Sequence, residues 1–172
     1  MYHIGDLILY GNTGVCRVTD ITKRNMPGEK KKRPYYVLEA LYQNCTIFVP
    51  VDSRKVFMRP IISKDEAEHL IDKIPSIRAE TCDERVLNEP TDHYKALLST
   101  HDCLDLMELS MSIYTKKTLL EQQKRKFGVL DERYMKISEE LLFGEFAAAL
   151  NIPKDKVLEY IAARLNRKRR DN

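Results

Sequence analysis

His101, Asp102 and Cys103 set a base, an acid and a thiol in three consecutive positions. These are the residue types of a nucleophilic site, in which a base takes the thiol proton and an acid orients the base. Consecutive residues at a helix start point in different directions. The run therefore predicts a helix cap on Asp102, not a catalytic array. His3, His69, His93 and His101 share no metal-ligand spacing with one another or with a cysteine. Cys16, Cys45, Cys82 and Cys103 are widely spaced and form no CxxC pair, which argues against a zinc site or a disulfide framework. Cys16 and Cys45 fall in strand patterns and read as small core residues. Gly11-Asn12-Thr13-Gly14 is the closest approach to a phosphate loop, but a strand pattern follows it instead of a helix. No catalysis, metal or cofactor is expected.

The elements that carry these residues follow two grammars. In the first part, Leu7–Tyr10, Val15–Val18, Tyr35–Leu38 and Cys45–Val49 are β-branched or alternating runs. Gly/Asn turns, Gln43-Asn44, and a charged loop at 25–34 that contains Met26-Pro27-Gly28 separate them. Four of the six glycines lie in the first 28 residues, so the turns there are tight. Four or five short antiparallel strands predict a small half-open barrel. From Ser63 the period becomes helical. Ser63 and Glu66 form a capping box, Ala67, Leu70, Ile71 and Ile74 share a stripe, and Pro75 is expected to stop the run. Residues 76–90 read as a linker or a short helix. Further helices are expected from Thr91, from Asp102 to Leu120, from about Tyr134 to Leu150, and after Pro153, with Val157, Leu158, Ile161 and Leu165 on the buried side of the last one.

The fold class is thus α+β in two domains: a sheet domain at 1–62 and an all-α domain at 91–166. A connecting helix at 63–75, a linker at 76–90 and a basic tail at 167–172, read as disordered, complete the division. With 172 residues and a net charge of +3 the chain is no polycation, though local basic patches remain open to it. No apolar run reaches the roughly 20 residues that span a bilayer, and the N-terminus lacks the basic and apolar regions of a signal peptide. A cytoplasmic protein with no membrane partner follows.

The pattern Ile4-Gly5-Asp6, Tyr10, Gly14, Val18 and Ile21, followed by Val49-Pro50, resembles the CarD/CdnL family of bacterial transcription regulators. It is also similar to the polymerase-binding domain of transcription-repair coupling factor. Tyr94-Lys95-Ala96, Asp102, Glu132-Arg133 and Leu141-Leu142-Phe143-Gly144-Glu145 continue the resemblance into the helical half. It implies a Tudor-like sheet domain that binds the β subunit of RNA polymerase by adding an edge strand. It also implies a helical domain that touches promoter DNA and stabilises the open complex. By position, Lys23, Arg24 and Phe48 are the polymerase contacts, with an aromatic Phe48 where some members carry arginine, and Thr46 is carried beside them as a polymerase candidate.

The family's DNA contact uses a tryptophan followed by arginines, and this chain has no tryptophan. Leu87, or Asp83 under a different spacing, falls near that position. Glu89 and Asp92 follow where cations are expected. Leucine can wedge a minor groove, so Leu87 is carried as a DNA candidate beside Lys95, Lys116, Lys117, Lys124 and Arg125. Two readings remain: a polymerase- and DNA-binding regulator, and a protein-interaction module without DNA contact. Strand pairing through a free edge also leaves a monomer or a strand-mediated dimer open.

Overall fold

The computed structural model describes residues 1–81 and 84–172. The chain divides into two compact units, residues 1–61 and 62–172.

The first unit is a five-stranded antiparallel sheet. Its strands are β1 (Leu7–Tyr10), β2 (Gly14–Arg24), β3 (Arg33–Ala40), β4 (Thr46–Pro50) and β5 (Met58–Pro60). The spatial order is β4-β3-β2-β1-β5, so β4 and β5 are the edges. A single turn of 3₁₀ helix at Gly11–Thr13 joins β1 to β2. A side chain at Gly11 would meet Val56 Cγ1 at 2.8 Å, and Gly11 and Gly14 both have positive φ, which explains the glycine pair. β2 is long because a bulge at Thr19 shifts its register against β3 between Val18 and Asp20. Thr19 Oγ1 donates to Val37 O at 3.2 Å there. Past the bulge, Asp20, Thr22 and Arg24 fall on the face opposite Cys16 and Val18.

One face of the sheet is a core of Ile8, Cys16, Val18, Tyr36, Leu38 and Val49. Tyr2 closes its end, donating its backbone N–H to Tyr36 Oη at 3.0 Å, with the two rings 5.7 Å apart. Burial pushes the Cys16 thiol up to about 11, so it is inert at neutral pH. Cys45 does not share that role. It precedes β4 in the hairpin loop and is exposed, because its backbone closes the loop: Ala40 N donates to Cys45 O at 3.0 Å.

The second unit holds α1 (Lys64–Asp72), α2 (Ile74–Thr81), α3 (Thr91–Ser99), α4 (Cys103–Gln122), α5 (Val129–Leu150) and α6 (Val157–Asp171). The capping box of Ser63 and Glu66 is formed. Pro75 ends α1 only in the sense that a new helix begins. Ile74 and Pro75 open α2, where a missing amide costs nothing in the first turn. The stretch expected as linker is thus largely helical, with a 3₁₀ segment at Glu84–Asn88 after α2. The core joins Ile71, Tyr94, Leu106, Ile113, Leu142 and Phe146 from four helices.

Glu145 is fully buried within that core. Its Oε1 accepts from Ile62 N at 3.0 Å, and its Oε2 lies 3.1 Å from Cys103 Sγ, which donates. On the opposite flank, α1 is tied to α6. Arg164 and Lys168 bind Asp72, and Tyr160 Oη donates to Glu68 at 2.6 Å. The basic tail is therefore the end of α6, continuous through Asp171, because Lys168 has a partner one helix away. Leu158 does not face the core: it is 62% exposed, whereas Val157 beside it is fully buried. Among the described residues no helix is long and apolar enough to cross a membrane.

Candidate functional site

His101, Asp102 and Cys103 act in three directions. His101 Nδ1 lies 3.0 Å from Ser99 O, and Asp102 accepts from Leu104 N at 2.9 Å and Asp105 N at 3.3 Å as the α4 cap. Cys103 points inward to Glu145. These hydrogen bonds lead to three different partners. Among the described residues no cluster of three potential metal ligands occurs. Cys82 and Asp83 lie outside the described residues.

The sheet unit presents a different kind of site, the outer side of β4. β3 and β4 pair with Tyr36 opposite Val49 and Leu38 opposite Ile47. Val51 N donates to Pro34 O at 3.1 Å and Ala40 N to Cys45 O at 3.0 Å, at the two ends of the same ladder. Antiparallel bonding alternates along a strand. The inward-bonded positions of β4 are therefore Ile47 and Val49, and the backbone N–H and C=O groups of Thr46 and Phe48 face the open edge. An extended segment laid alongside would find these groups free, which is the geometry of strand addition.

Side chains mark the same edge. Phe48 lies opposite Val37, on the face away from the core, and is half-buried. The Arg24 guanidinium stacks over the Phe48 ring at 4.5 Å from its centre. The bulge at Thr19 is what makes this contact, since it shifts Arg24 onto the outer face. Arg24, Thr46 and Phe48 thus share one face of the sheet; Phe48 lies under Arg24, and Thr46 lies farther along β4, toward the β3–β4 turn. Lys23 does not join them: it precedes Arg24 in β2 and points to the other face.

The DNA candidates are scattered through the helical unit. Leu87 is half-buried in the 3₁₀ segment. A cleft of about 480 Å³ adjoins it, lined by Glu80, Glu89 and Glu108 with Arg85. Lys95 is exposed on α3, 3.8 Å from Asp92. Lys116 is not a free cation. Its side chain is 14% exposed, its ammonium is 2.9 Å from Asp131, and it sits 5.9 Å from the Tyr94 ring. Lys117 rests 5.7 Å from the Phe127 ring.

Lys124 and Arg125 follow α4 and are exposed. Arg125 N donates to Leu120 O at 2.8 Å and Lys124 N to Glu121 O at 3.1 Å, the paired bonds of a Schellman end. Lys124 there has φ +55°, the position glycine usually fills. The spacing of residues 120–128 shows a helix end, but nothing in it marks a lysine in the left-handed region. The unit also has an apolar groove of about 370 Å³ lined by Ile74, Met107, Met111, Tyr114, Phe143 and Leu158.

Residues 2–62 match the family model described as the CarD-like/TRCF RID domain. A comparison of the chain with curated proteins found no match. The matched segment covers all five strands, both sheet edges and the Arg24–Phe48 contact. The sheet unit of this chain is a CarD-like/TRCF RID domain, an RNA-polymerase-interacting module.

Proposed function

We propose that this chain is a transcription regulator that docks on the β subunit of RNA polymerase through the open edge of β4. Thr46 and Phe48 supply main-chain hydrogen bonds to a strand of the subunit, and the stacked Arg24–Phe48 pair supplies the side-chain contact. The observation that carries this reading is the unpaired edge, whose outward main-chain groups include those of Phe48, the residue on which Arg24 stacks. Main-chain pairing gives affinity and the flanking side chains give register. The helical unit then contacts promoter DNA through Lys95, Lys117, Lys124 and Arg125, with Leu87 as an apolar wedge. Such contacts act without catalysis, by binding the open complex better than the closed one.

The test is a binding titration of the full chain against the polymerase β-subunit lobe. Arg24→Glu and Phe48→Glu should each weaken binding by at least about tenfold, in the range for loss of an interface anchor. Binding untouched by both changes would refute the assigned surface. A second reading, an interaction module without DNA contact, draws on the acidic cleft beside Leu87 and on the apolar groove. A forked promoter fragment, titrated with and without polymerase at low and moderate salt, separates the two. A polymerase-dependent gain that shrinks with salt supports DNA contact. No gain supports the interaction module.

A further inference from the structure

The β2–β3 connection carries the densest charge in the sheet unit. Lys23, Arg24, Lys30, Lys31, Lys32 and Arg33 stand against Glu29 alone within residues 23–33. β2 and β3 run past their last β4 pair, Tyr35–Pro50, to end on the pair Arg24–Arg33. The tip is therefore the loop of a two-stranded hairpin, residues 25–32, and Lys30, Lys31 and Lys32 lie in that loop. It is ordered from within. Pro27 and Gly28 occupy the centre of a turn closed by Glu29 N donating to Met26 O at 3.0 Å, with Gly28 at φ +91°. Glu29 accepts from Tyr35 Oη at 2.8 Å and pairs with Arg33, whose guanidinium also faces Asp52 at 3.9 Å. The Asn25 side-chain amide lies 3.2 Å from the carbonyls of Glu29 and Lys31 and donates to both once its nitrogen is turned toward them.

These bonds use the groups that could read a surface, Asn25 and Arg33, to build the loop. Arg24 is stacked on Phe48. What remains is Lys30, Lys31 and Lys32, consecutive, exposed, and with no side-chain hydrogen bond or ion pair among the described residues. Three adjacent ammoniums repel one another, and the fold supplies no counter-charge.

We propose that this hairpin tip is a nucleic-acid contact that grips the phosphate backbone of a duplex without reading its sequence. A basic two-stranded ribbon fits a DNA groove, and lysines bind phosphates as point charges. The alternative polyanion, an acidic protein surface, fits less well. Protein interfaces centre on buried aromatic or arginine anchors and are depleted of lysine, and between Asn25 and Lys32 the tip has no aromatic residue. The site belongs to the sheet unit alone, residues 1–61, and needs no polymerase.

The experiment is fluorescence anisotropy of the full chain with a random-sequence duplex, across a salt series. The variant is Lys30→Gln/Lys31→Gln/Lys32→Gln, with circular dichroism to show that the fold is kept. Each phosphate contact contributes a slope of about 0.9 in log K against log salt. The triple variant should flatten the slope by about 2 to 3 and weaken low-salt binding at least about tenfold. Lys→Arg at the same three positions should keep both. The same loss should appear when Lys124→Gln and Arg125→Gln are already present, which separates this site from the helical surface. An unchanged slope overturns the proposal. So does loop-dependent binding to poly-L-glutamate as tight as to the duplex, which would assign the tip to an acidic protein.

Discussion

At the scale of single residues, Glu145 shows how a charged side chain serves the fold. It is fully buried, yet one oxygen holds the backbone at Ile62 and the other the Cys103 thiol. A buried polar group is tolerated when it is hydrogen-bonded, and removing it strands its partners. Glu145→Ala should destabilise the protein by roughly 2–4 kcal/mol, read from chemical denaturation, because it leaves an unpaired amide, an unpaired thiol and a cavity. Glu145→Gln keeps the shape and one acceptor, so it should cost less. Equal losses for the two would show that the carboxylate's hydrogen bonds matter little.

At the scale of elements, the phase of the β4 ladder makes a sharp prediction. Thr46→Pro removes an amide that faces outward and costs the sheet no ladder bond. It should leave the melting temperature within a few degrees and weaken binding to the β-subunit lobe. Ile47→Pro removes an amide that faces β3 and should unfold the sheet unit. The reverse pattern would mean the edge is not the docking element. The α1–α6 tie makes a second one. Hydrogen bonding to Arg164, with Lys168 beside it, pulls the Asp72 carboxyl from 3.8 down to about 2. A lowered folded pKa gives stability that is complete above the unfolded value and lost as pH falls through the folded one. The stability difference between the parent and Asp72→Asn should therefore be full at pH 5 and above, and shrink between about pH 4 and 2. A difference constant across that range, in thermal melts, would show the ion pair to be energetically silent.

At the scale of the whole molecule, the question is which cations are free. Lys116 looked equivalent to Lys117 and Lys124 in the sequence, but it is spent on Asp131. Lys116→Ala should lower stability by about 1–3 kcal/mol, through the charge left unpaired on Asp131, and leave DNA affinity largely unchanged. Lys124→Gly should do the opposite, relieving a left-handed lysine and removing an exposed charge. Its melting temperature should rise while duplex affinity falls; measured together, equal DNA losses for both variants would reverse this assignment. The strands, the helix caps and the fold class were legible because alternation, the capping box at Ser63 and the cap at Asp102 are local patterns within a few residues. So was the likeness of the first 60 residues to a polymerase-binding sheet, which rests on turn glycines and strand spacing. Sequence alone left other features undecided. It did not show that α2 begins where Pro75 was expected only to end a helix, that Leu158 faces out, that Lys168 is paired, or that a bulge at Thr19 brings Arg24 onto Phe48. Each depends on a partner far along the chain, and a side chain's exposure, register or free charge exists only once that partner is in place.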